Sequence, residues 1–112
     1  MANLALQNIA ATGSVVSTSS AAAGGDTVTP ASANDDRCFL QVTNGGGSSI
    51  NVTVTDPGVT PAGNAGSSVV VAVAASATKL IALPPGAINP ANGQIAIAYS
   101  AVASVTVAAL RR

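Results

Sequence analysis

From Asp26 onward the chain is written in a period of two. Cys38, Leu40 and Val42 alternate with Phe39, Gln41 and Thr43. Ile50, Val52 and Val54 alternate with Asn51, Thr53 and Thr55, and Ile95, Ile97 and Tyr99 with Ala96, Ala98 and Ser100. Neighbouring side chains of a strand point to opposite faces, so this spacing predicts half-buried strands and not helices. Shorter runs at 27–29, 68–74, 78–83 and 104–109 have the same character, and the Val-rich one at 68–74 is expected to be buried on both faces. Turn signals separate the runs: Asn44-Gly45-Gly46-Gly47, the Pro/Gly/Asn stretch 56–67, Ala75-Ser76 and Pro84-Pro85-Gly86. Residues 31–37, with Asn34-Asp35-Asp36, read as a loop.

The expected fold is all-β: an antiparallel β-sandwich or partly closed barrel of about seven strands. No segment has the length and pattern of a crossover helix, which argues for antiparallel pairing. The runs on either side of Asn44–Gly47 are expected to pair as a hairpin, its Gly and Asn residues taking positive φ. The many alanines favour helix by propensity, but here they alternate with Val, Ile and Thr.

Residues 1–25 differ from this domain, which spans 26–112. Residues 1–11 are compatible with a short helix, Val15-Val16 with a brief strand, and 17–25 with turn or flexible chain. Leu4, Leu6, Ile9, Val15 and Val16 make the segment more apolar than a disordered tail. It is therefore expected to be an extended N-terminal arm that orders on a neighbouring subunit, with those five residues in contact.

Composition points to partners as well. There are 24 Ala against 26 Val, Leu and Ile together, with Phe39 and Tyr99 the only aromatic residues. Alanine buries little area, and burial is worth roughly 25 cal/mol per Å², so subunit contacts are expected to supply part of what the core lacks. Phe39 is expected to pack on a sheet or a neighbour, and Tyr99 to cap the core with its hydroxyl at the edge. Four Asp residues oppose four Lys and Arg residues, a charge content of 7% where soluble monomers carry about a quarter. A surface so poor in charge suits an assembly better than free solution. Binding to nucleic acid through phosphates is not expected, because the only basic pair is Arg111-Arg112. The N-terminus lacks the basic region of a signal peptide, and no run approaches the roughly 20 apolar residues of a membrane span.

Chemistry is sparse. With no His, no Glu and one cysteine, the chain offers no Ser–His–Asp or Cys–His arrangement and no His/Cys metal cluster. Cys38 opens a core strand and is expected to be a buried small hydrophobe. Gly45–Gly47 is followed by a strand and by no Lys-Ser/Thr, unlike a phosphate-binding loop. Asn51-Val52-Thr53 matches the glycosylation pattern only in mid-strand. The expectation is a non-enzyme with no cofactor, no metal and no small-molecule substrate.

The succession Cys38-Phe39-Leu40-Gln41-Val42-Thr43-Asn44-Gly45-Gly46-Gly47, followed by Ile50-Asn51-Val52-Thr53-Val54, resembles the small capsid decoration, or cement, proteins of tailed bacteriophages. Leu83-Pro84-Pro85, Ile95-Ala96-Ile97-Ala98-Tyr99-Ser100 and the run from Ser104 to Arg111 extend the likeness over residues 26–112. The resemblance implies a structural virion protein on the phage head, assembled in the host cytoplasm. Its partners would be the major capsid protein and neighbouring copies of itself. A tail, connector or fibre-attachment protein is the alternative within that class, and a receptor- or glycan-binding β-sandwich module the alternative outside it.

Overall fold

The computed structural model describes residues 2–30, 37–58, 61–64, 66 and 68–111. The loop expected at 31–37 lies outside them except for Arg37. Ten strands are formed among the described residues: β1 (Ala2–Leu4), β2 (Leu6–Asn8), β3 (Ser19–Ser20), β4 (Asp26–Val28), β5 (Cys38–Asn44), β6 (Ile50–Val54), β7 (Val69–Val73), β8 (Thr78–Ala82), β9 (Ile95–Tyr99) and β10 (Val105–Arg111). One turn of 3-10 helix, Pro85–Ala87, follows β8.

The strands make two five-stranded sheets packed face to face. The first has the order β1-β4-β9-β6-β7; the second is β2-β10-β5-β8, with β3 also on β10. The molecule is only 19 Å across its shortest axis, as two sheets about 10 Å apart require. Without β1 and β2, the order becomes β3-β10-β5-β8 and β4-β9-β6-β7, with antiparallel neighbours throughout. First strand beside last and second beside second-to-last is the strand order of a jelly roll.

The sheets are mixed where antiparallel pairing was expected, and of the two expected architectures it is packed sheets that form, with no closure into a barrel. The parallel pairs come from the leader, where β1 runs beside β4 and β2 beside β10. Residues 2–8 are therefore extended strand, not helix. The segment crosses at Ala5 from the edge of one sheet to the edge of the other. Leu4 and Leu6, two residues apart, both reach the core, while Ala5 between them is exposed. Burying Leu4 and part of Leu6 outweighs the helix propensity of the alanines. No strand forms at Val15-Val16.

The expected hairpin is also absent. β5 pairs with β8 and β10, and β6 with β7 and β9, so Gly45–Ser49 arches from one sheet to the other. Each strand has one apolar face, and the arch turns those faces toward each other: Leu40 and Val42 on β5, Val52 and Val54 on β6, all buried. Asn44 holds the arch. Its buried amide nitrogen donates to Ser48 O at 2.8 Å, Val73 O at 3.1 Å and Ala74 O at 3.3 Å, while its Oδ1 accepts from Gly46 N at 3.0 Å. The glycines here do not supply positive φ; Gly45 is needed for close approach. Its N–H donates to Ser104 O at 2.8 Å, and a Cβ would stand 3.0 Å from that oxygen.

The core lies between the sheets and includes Val28, Leu40, Val52, Leu83, Ile95, Val105 and Val107, with the Cys38 side chain buried beside them. β7 is not buried on both faces. It is an edge strand, and Val69 and Val70 are 55% and 59% exposed.

Candidate interaction surface

The five leader residues read as subunit contacts separate into two groups. Leu4 is buried in the chain's own core and Leu6 packs against it. Ile9, Val16 and above all Val15, 93% exposed, remain at the surface. The latter three stand together on the outer face of the second sheet.

Strand register explains what they meet there. Inward residues of this sheet are Cys38, Leu40 and Val42 on β5, Ile81 on β8, and Val105, Val107 and Ala109 on β10. Their neighbours point outward. Leu110 lies opposite Phe39, which lies opposite Ala82; Ala108 lies opposite Gln41, which lies opposite Leu80. An antiparallel sheet with one solvated face normally carries polar side chains at such positions. Here Leu110, Phe39 and Leu80 form an apolar strip, and Leu80 is 64% exposed.

The leader turns this strip into a groove. Beyond β2 the chain folds back over the sheet through Gly13, whose φ is +94°. Gln7 clamps the return: its amide nitrogen donates to Ser17 O at 2.7 Å, and its Oε1 accepts from Ser17 N at 2.9 Å. Ser14 Oγ adds a bond from Ala10 N at 2.9 Å. Between the folded leader and the sheet lies a cavity of about 280 Å³, lined by Ile9, Val15, Val16, Phe39, Leu80 and Leu110 together with the polar Gln7, Asn8, Ser14 and Gln41. Leu110 is thereby buried although it faces outward on its strand. The lining contains no ionisable group, so the groove is suited to taking apolar side chains and not to acid–base work.

Sequence reasoning picked out Ile9, Val15, Val16 and Phe39 but not Leu80, Leu110 or Gln7. Gln7 is missed because its spacing of ten residues from Ser17 carries no periodic signal.

The polar chemistry of the described residues lies elsewhere. Tyr99 Oη donates to Asp26 Oδ2 at 2.7 Å, so the hydroxyl is tied into the protein. Burial, and then the hydrogen bond to the Asp26 carboxylate, push the tyrosine's pKa well above its ordinary value. Asp26 is fully buried, and its Oδ1 has no hydrogen-bond partner among the described residues. No group of three metal-ligating side chains occurs among the described residues, and no helix there is long and apolar enough to cross a membrane.

Compared with known proteins, the chain matches no family model, no curated protein and no solved structure.

Proposed function

We propose that this chain is a structural virion protein that binds the outer capsid lattice of a tailed bacteriophage and stabilises or decorates its head. The observation that carries the reading is the uncharged, apolar groove between the folded leader and the outer face of the second sheet. Contiguous exposed apolar surface is uncommon on soluble domains and marks contacts with proteins, membranes or ligands. The strand and turn motifs that resemble cement proteins supply the kind of partner. A jelly-roll strand order is also used by viral capsid domains, although it is shared with lectins and does not by itself fix a function.

On this reading the partners are the major capsid protein and neighbouring copies of the chain, and the role is not catalytic. Many uncharged contacts, each weak, would add across a repeating lattice. A glycan-binding role fits less well, because Phe39 is the only ring in the groove and sugar platforms rely on aromatic faces.

Sedimentation of the purified chain with phage heads that lack it tests the proposal. The expected result is saturable binding in fixed proportion to capsomers, reduced by Leu80→Lys or Val15→Lys. Failure to co-sediment, or binding confined to tails, would overturn it.

A further inference from the structure

We infer that the free edge of β7 is a self-association site, at which a second copy of this chain adds its own β7 in antiparallel register about Val71. The inference stands independently of the virion reading.

The backbone of β7 has one side committed. Asn51 O accepts from Ser100 N and Thr55 N donates to Ala96 O, so Asn51, Thr53 and Thr55 turn their peptide groups toward β9. Peptide groups alternate in direction along a strand. Ile50, Val52 and Val54 of β6 therefore bond to Val73, Val71 and Val69 of β7. That leaves the N–H and C=O groups of Val70 and Ala72 pointing away from the sheet, and no described strand pairs with them.

The other edges are managed. β8 carries Lys79, an edge charge of the kind that discourages pairing. The opposite side of the molecule is closed by the leader, which runs along β4 and β10. β7 has no such device: Val69-Val70-Val71-Ala72-Val73 contains no charge and no proline, and Val69 and Val70 are more than half exposed. A long exposed apolar edge of this kind is a template for another strand.

The occupant follows from the symmetry of the segment. In an antiparallel pair centred on Val71, Val70 of each copy meets Ala72 of the other, and these are the residues with unused peptide groups. Four hydrogen bonds form around a two-fold axis, and the contact closes as a dimer. Exposed Val69 then lies opposite Val73 of the second copy. Charge agrees with this direction. Asp56 adjoins the start of β7, its backbone N–H accepted by Ser68 Oγ at 3.0 Å, while Lys79 follows the turn after its end. Antiparallel addition brings the acidic end of one copy beside the basic end of the other, whereas parallel addition would match like with like.

The test uses the full chain. Analytical ultracentrifugation should show a concentration-dependent dimer, and Val70→Lys, which places its charge on an already exposed position, should weaken that dimer at least about tenfold while leaving the circular dichroism of the monomer unchanged. Val71→Cys reads the register. A non-hydrogen-bonded cross-strand pair holds Cβ atoms about 4.5–5.5 Å apart, within reach of a disulfide after a small adjustment. Copper–phenanthroline in air should then crosslink Val71→Cys into a dimer but not Leu80→Cys, although Leu80 is the more exposed residue. A wild-type chain that stays monomeric across the micromolar range, a dimer indifferent to Val70→Lys, or crosslinking that is stronger at residue 80 would overturn the inference. A monomer would leave the edge to a strand of a different protein.

Discussion

Tyr99 on β9 donates a hydrogen bond from its hydroxyl to Asp26 Oδ2 on β4, 2.7 Å away and 73 residues distant in sequence. The bond ties two neighbouring strands of the first sheet at the point where the chain returns to it after the leader. Gly25, immediately before, has a φ of +91°, and a Cβ there would stand 2.6 Å from Ile97 O. Only glycine lets the backbone pass so close to β9 and deliver Asp26 to its buried position.

Replacing Tyr99 with Phe is expected to cost about 1–2 kcal/mol at neutral pH, because a buried carboxylate loses its short hydrogen bond. The wild type should also lose stability in alkali. A raised folded-state pKa means that the folded protein holds the proton more tightly than the unfolded chain. The contribution is thus complete below the ordinary tyrosine value near pH 10 and declines as the pH climbs above it toward the folded value. Tyr99 is the chain's only tyrosine, so ultraviolet tyrosinate absorbance reports it alone. Urea denaturation at stepped pH should show a steeper alkaline decline in the wild type than in Tyr99→Phe. An equal decline in both would count against this account.

Asn44 is expected to be the most sensitive polar position of the second sheet. Asn44→Ala removes the side-chain donor to Ser48 O and one of the donors to Val73 O, which keeps Ser49 Oγ at 3.3 Å, and should lower stability by about 1–3 kcal/mol. Asn44→Asp should do at least as much harm at neutral pH, since a carboxylate would face three carbonyl oxygens. Thermal melts of the two variants decide this. A change under about 0.5 kcal/mol, usual for surface substitutions, would mean that the arch does not depend on Asn44.

Much of this fold is legible in the sequence, and the boundary of legibility is physical. β5, β6, β9 and the inner face of β10 follow from alternation, because burial of one face writes itself into a period of two. Alternation says which face of a strand is buried but not which strand lies beside it. The arch at Gly45–Ser49 therefore read as a hairpin. β1, β2 and β3 are two or three residues long, too short to show any period, so the parallel edges they form were not foreseeable. The groove was half visible: Ile9, Val15, Val16 and Phe39 were conspicuous as apolar residues without an obvious core position. Leu80 falls inside an expected strand and Leu110 just past the end of another, and only the folded leader above them gives them a common role.

The groove makes a prediction in which stability and binding come apart. Leu80→Lys and Val15→Lys alter exposed side chains and should leave the unfolding free energy within about 0.5 kcal/mol of wild type. Gln7→Ala, by contrast, removes both bonds to Ser17 and should release the folded leader, seen as faster amide exchange over residues 9–18 with little change in β5 or β9. If amide exchange of the leader were unchanged in Gln7→Ala, the clamp would not be what shapes the groove.

The most direct test of the central claim is a cryo-electron microscopy reconstruction of virions produced from a genome that carries this reading frame. The account predicts density for the chain at regular capsomer positions on the head, with the outer face of the second sheet, and hence Val15, Phe39 and Leu80, turned toward the lattice. Heads without such density, or a bound chain whose groove faces solvent, would contradict it.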